Sequence, residues 1–196
     1  MPAMNRRGML KNCAFLAAGA ACRVVVPRWF SFTEVALAQG KAAPMAEQQL
    51  RKLKLELPNF DRFKAYQPAV RVDNMLYLSG FEPKKPDGTP LAGKLGRDFD
   101  ANQGYQAARQ IALIVLSVVR AELGSLDKVV RLVRTFGMLN CMPDFIDTPQ
   151  VMNGFNDLMT EVFGERAGKG VRCAVGMNSL PDGSVVEIET LFQVRA

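Results

Sequence analysis

The chain has 196 residues and an ordinary globular composition, 48% hydrophobic and 22% charged, with no histidine. Without histidine the Ser-His-Asp and Cys-His routes to a nucleophile are closed, and so are most zinc sites. The net charge of +6 invites a nucleic-acid reading, but its position argues against one: five of the 25 basic and one of the 19 acidic residues fall within residues 1–38, leaving 20 against 18 elsewhere.

At the N-terminus, Asn5-Arg6-Arg7-Gly8-Met9-Leu10-Lys11 leads into an alanine-rich apolar run from Cys13 to Cys22, and Ala36-Leu37-Ala38 supplies a small-x-small cleavage site before Gln39. The pattern resembles a twin-arginine export signal over residues 1–38, with Arg23 and Arg28 interrupting its apolar part. It implies a periplasmic or exported protein; the alternative is a cytoplasmic one with a basic tail. No apolar run is long enough to span a bilayer, so no stable membrane insertion is expected after cleavage. Cleavage would leave Cys141 and Cys173, either paired or as two free thiols.

Residues 39–65 read as a linker with a short helix. From Ala46 to Leu57 the spacing places Leu50, Leu53 and Leu57 on one side, and Pro58 stops the helix. The domain proper is expected over 66–196. Tyr66–Val72 and Met75–Gly80 are strands around an Asp73-Asn74 turn. Glu82–Arg97, rich in Pro, Gly and Lys, is a loop with no phosphate-cradling glycine pattern. Asp98 and Asp100 offer N-caps for a helix through Leu123, with Tyr105, Ala108, Ala112, Val115, Leu116 and Val119 as its apolar stripe. Gly124 ends it. Val129–Leu139 alternates as a strand. Thr148-Pro149 opens a second helix with Val151, Phe155, Leu158, Met159 and Val162 inward and Gly164 as its stop.

The last strands, from Val171 to Val194, flank a Leu180-Pro181-Asp182-Gly183 turn. Val186, Ile188 and Phe192 fall on one face of the final strand, Glu187 and Glu189 on the other. Pairing across the turn could bring Arg172 and Glu187 together. An arginine holds a carboxylate through two parallel hydrogen bonds, and a carboxylate can orient or deprotonate a water. The plain alternative is a solvent-facing salt bridge. The order β-β-α-β-α-β-β predicts an α+β layer pair, an antiparallel or mixed sheet with two helices on one face. The other face, carrying Val133, Thr135, Val185 and Leu191 beside charges, is expected to be covered by neighbouring subunits.

Three stretches together resemble the RidA/YjgF-like reactive-intermediate deaminase family. They are Tyr66-x-x-Ala69-Val70-x-x-x-Asn74-x-x-x-x-Ser79-Gly80, the helix segment around Asn153, and Arg172-Cys173-Ala174-Val175-Gly176 followed by Leu180-Pro181 and Val186-Glu187-Ile188-Glu189. The match is closest to a subgroup with an Arg-Ser-Ala-Val-Gly signature, in which Cys173 stands for the serine. The resemblance implies a chorismate-mutase-like fold and a homotrimer with three clefts between subunits. It implies hydrolytic deamination of enamine or imine intermediates of the 2-aminoacrylate type, giving 2-keto acids and ammonia, with no cofactor and no metal. Arg172 would clamp the carboxylate of a small substrate and Glu187 would position the attacking water. Ala174 would lend backbone groups, Tyr66 would wall the pocket and Asn153 would support it. Gly80 and Phe81 would form the rim, and Cys173 would line the site. The rival reading is a non-catalytic trimeric binder of small carboxylic acids. A ribonuclease reading has no basic stripe or aromatic platform behind it, so no nucleic-acid partner is expected.

Overall fold

The structure, a computed structural model, describes residues 45–59 and 65–195. The expected export signal at 1–38 and parts of the expected linker lie outside the described residues. Helix α1 (Ala46–Lys52) is shorter than the leucine spacing suggests. Lys54 takes a left-handed φ of 53° and turns the chain, so only Leu50 of the three leucines is buried. The helix is moored by Glu47, which accepts from Arg120 Nη2 at 2.6 Å and from the backbone N–H of Leu126 at 3.0 Å.

Strands β1 (Ala69–Val72) and β2 (Met75–Phe81) form the expected hairpin. Asp73 adopts φ 52° in the turn, a conformation aspartate tolerates. Helix α2 (Ala101–Leu123) starts at Asp100 rather than Asp98. Gln103 N donates to Asp100 Oδ1 at 2.8 Å and Asp100 N to Gln103 Oε1 at 2.9 Å, a reciprocal capping box. Gly124, at φ 78°, closes the helix as expected. Strand β3 (Val129–Asn140) leads into helix α3 (Thr148–Gly168). Gly164, at φ 79°, kinks α3 instead of ending it, and a further turn runs to Gly168. Strands β4 (Val171–Met177) and β5 (Val186–Val194) complete the chain.

The sheet order is β1-β2-β5-β3-β4, and every neighbouring pair is antiparallel except β3 with β4. The fold is thus a mixed five-stranded sheet with α2 and α3 on one face. The expected pairing of β4 with β5 does not occur, because β3 lies between them. β4 follows a helical crossover from β3, which delivers it parallel to β3 at the sheet edge, and the chain then returns through the Pro181–Gly183 turn to the centre. Two register breaks in β3, between Val129 and Arg131 and between Leu132 and Arg134, upset its simple alternation. Thr135 accordingly lies fully buried on the helix side, not on the open face, and Val185 is likewise in the core.

The alternation of β5 is as read from the sequence. Val186, Ile188 and Phe192 join Val115, Leu116, Phe155 and Leu158 in the core, while Glu187 and Glu189 face away. Among the described residues no helix is long and apolar enough to cross a membrane. The two long helices approach closely at Gly154, where an added Cβ would lie 1.9 Å from the carbonyl oxygen of Tyr105. Because that neighbour is backbone, the helices themselves must part to admit a methyl group. Gly154→Ala should therefore lower unfolding stability by about 1–3 kcal/mol, measured as a lower urea midpoint at unchanged slope.

Candidate active site

β4 places Arg172 at the sheet edge, in one row with Thr135 and Thr190. That row points toward the helices. Arg172 Nη1 donates to Asn153 Oδ1 at 2.7 Å and more weakly to Asn156 Oδ1 at 3.4 Å, both on α3. Among the described residues its partners are therefore amides, which orient a guanidinium without neutralising it. Asn153, but not Arg172, also lines a cavity of about 400 Å³ with Tyr105, Gln150 and Asp157. Ala174, two residues along β4, lies in the row of Gly137 and Ile188 on the same side. Asn156 carries no motif of its own; its position three residues beyond Asn153 on a helix, hence on the same face, is the signal that could have found it.

Glu187 occupies a different place. It is opposite Met138 and projects from the open face of the sheet. Since Arg172 shares a row with Thr190, it is offset from Glu187 by two strand spacings and three residues, about 14 Å between Cα atoms, and the pleat sends their side chains to opposite faces. One chain does not bring the two together. Glu187 instead folds over Gly80, where a Cβ would lie 1.9 Å from its Oε1. Burial, and then the charge of Glu189, push the Glu187 carboxyl above the usual glutamate range. Glu189 itself bonds Arg134 Nη1 at 3.3 Å.

The Tyr66 segment belongs to this second group. Ser79 donates from N to Pro68 O at 3.0 Å and from Oγ to Gln67 O at 2.8 Å, which holds the stretch after Tyr66 beside Gly80. Tyr66 is 55% exposed. Phe81 does not form a rim: it is 3% exposed, pairs with Ile188 and packs in the core. The pleat that exposes Gly80 turns its neighbour inward. Cys173 faces away from the Arg172 side, in the row of Phe136 and Glu189, and Cys141 and Cys173 are both free thiols.

The expected residues thus separate into Arg172, Asn153 and Ala174 on one side of the sheet and Glu187, Gly80 and Cys173 on the other, with the segment after Tyr66 held beside Gly80. A larger cavity of about 670 Å³ lies at the far end of β3 and β4 from Arg172. Its guanidinium, Arg97, is neutralised by Asp98 at 2.7 Å, while its ammonium, Lys94, is held by the neutral oxygens Asn140 Oδ1 at 2.7 Å and Asn178 O at 2.6 Å, much as Arg172 is held by its two amides. Among the described residues no group of three His, Cys, Asp or Glu is placed to hold a metal ion.

A family model described as "YjgF/chorismate mutase-like, putative endoribonuclease" matches residues 47–192. Protein TCP17 from Trypanosoma cruzi is 41% identical over 120 residues, covering 61% of this chain and 75% of that protein. The crystal structure of Atu1372, of unknown function, from Agrobacterium tumefaciens is 32% identical with a TM-score of 0.69, covering 77% of this chain and 94% of that one. A "putative endoribonuclease" from Shewanella oneidensis is 28% identical with a TM-score of 0.71, covering 76% of this chain and 99% of its own.

The contact between Gly80 and Glu187 can be tested without a substrate. The clash in Gly80→Ala is with the far end of a flexible side chain, so the fold should survive with less than about 1 kcal/mol lost. Glu187 should swing into water, and its carboxyl midpoint should fall toward the ordinary value of about 4.3, read by carbon-13 NMR of labelled glutamate.

Proposed function

The chain belongs to the RidA/YjgF-like family, and from that premise we propose that it hydrolyses reactive enamine and imine intermediates of the 2-aminoacrylate type to 2-keto acids and ammonia. The observation that carries this reading is the Arg172 guanidinium, aimed by two amide oxygens. A planar fork held in this way suits a substrate carboxylate. Glu187, raised by burial, is the proton acceptor. It takes a proton from water as the oxygen adds to the C=N carbon and returns that proton to the nitrogen, which leaves the carboxylate as it began. The resulting carbinolamine collapses to the 2-keto acid and ammonia. An imine carbon is electrophilic unaided, so this chemistry runs on protein side chains alone.

A homotrimer is part of the proposal, because it would let Arg172 of one copy meet Glu187, Gly80 and Tyr66 of the next in a shared cleft. Two features support it. The two halves of the site lie on opposite faces of one sheet. The open face also exposes apolar side chains, with Val70 opposite Tyr77 and each 50% exposed, which a neighbouring copy would cover.

Imines generated in situ from several amino acids by an amino-acid oxidase supply the substrate for an ammonia-release assay. Arg172→Lys should cost about 2–5 kcal/mol of 2-keto acid binding, seen by calorimetry, because an ammonium lacks the planar fork. Glu187→Gln should retain the ligand and lose ammonia release. A wild-type protein that binds 2-keto acids but releases no ammonia from any imine would leave the non-catalytic binder as the correct reading.

A further inference from the structure

Glu82 lies one residue beyond β2 and outside every motif used so far. β2 and β5 are antiparallel, with Phe81 opposite Ile188. Continuing that register by one residue sets Glu82 opposite Glu187. Directly opposed residues on one face of an antiparallel pair hold their Cβ atoms about 4.5–5.5 Å apart, and like charges there repel. Phe81 before it and Pro83 after it are both buried, which draws Glu82 inward. Its Oε1 is buried with no hydrogen-bond partner among the described residues. The charged groups around the pair are Asp182 from the turn before β5, Glu189 from β5, itself paired with Arg134 of β3, and Lys84 from the loop. Two further carboxylates, Asp182 and Glu189, beside Lys84 make full ionisation of two opposed carboxyls unfavourable.

We propose that Glu82 is a positioning residue that shares one proton with Glu187, holding it as a neutral carboxylic acid while Glu187 stays ionised to accept a proton from water. The proton resides on Glu82 because its Oε1 has neither solvent nor a donor to stabilise a charge. Burial first, and then the charge of Glu187, raise the Glu82 carboxyl to about 7, whereas Glu187 folds over Gly80 at the open face. Repulsion between two such groups falls on whichever ionises second, and that is Glu82. Below the Glu82 midpoint the pair carries one negative charge; above it the pair carries two and repels an anionic substrate. The proposal rests on the functional reading above for its consequence, but the shared proton itself is a property of the protein without substrate.

The test is a carbon-13 carboxyl titration of the full chain in its native assembly, beside the pH dependence of KM for the in-situ imines. In the wild type one glutamate should titrate near pH 7. Glu82→Gln should remove that transition, and Glu187→Gln should move it to lower pH, because the second ionisation no longer faces a charge. The KM of the wild type should rise about tenfold per pH unit above the midpoint, and that of Glu82→Gln, which mimics the neutral acid, should stay flat. Reciprocal coupling in the titration with no imine turnover would overturn the deaminase reading and uphold the shared proton. Glu82 titrating in the ordinary glutamate range, or keeping its midpoint in Glu187→Gln, would overturn the proposal.

Discussion

β3 lies between β4 and β5, and the arrangement of the site follows from that fact. β4 must run parallel to β3 because it arrives by a helical crossover, and β5 must run antiparallel because it returns through a short turn. Once both registers are set on the same strand, the pleat fixes the direction of every side chain. Arg172 falls in a row that faces α3, Glu187 in one that faces away. No rotamer change can join them, since a full strand layer separates their side chains. The sheet thus builds two half-sites from one C-terminal stretch of sequence.

Each half-site is prepared by different physics. Around Arg172 the work is done by hydrogen bonds: Asn153 and Asn156, one helical turn of α3, aim the guanidinium and leave its charge available. Around Glu187 it is done by desolvation. The absence of a side chain at Gly80 gives the carboxylate a place to lie against the backbone, and burial, then the charge of Glu189, makes it costly to ionise. An oriented cation and a reluctant anion are complementary, one suited to a substrate carboxylate and the other to a proton. The close packing of α2 on α3 at Gly154 holds the asparagine face of α3 over the β4 edge.

Local patterns in the sequence carried most of the fold. The N-cap at Asp100, one of the two aspartates the sequence offers, the glycine after Leu123 and the strict alternation of β5 each express a short-range rule, and each is found in the structure. What was not legible was long-range. Nothing in Val171–Val194 says that a third strand will separate its two halves, so a hairpin pairing of Arg172 with Glu187 is the natural expectation and is incorrect. The register breaks in β3 that bury Thr135 have no composition signal of their own. Phe81 was misplaced for a simpler reason: its neighbour Gly80 lies at the site, and in a strand the next residue points the other way. The same parity, carried one residue further, is what places Glu82 opposite Glu187.

The central claim is that a working site takes Arg172 from one copy and Glu187 from another. Subunit mixing tests it most directly. Arg172→Lys and Glu187→Gln chains, each inactive alone, are unfolded together in equal amounts and refolded into mixed trimers. If each cleft draws its two residues from adjacent copies, random mixing rebuilds about one quarter of the clefts intact, and ammonia release should recover to about that fraction of the wild-type rate. If one chain supplied both residues, no cleft in any mixture would be whole, and a mixture as inactive as its parents would contradict the account.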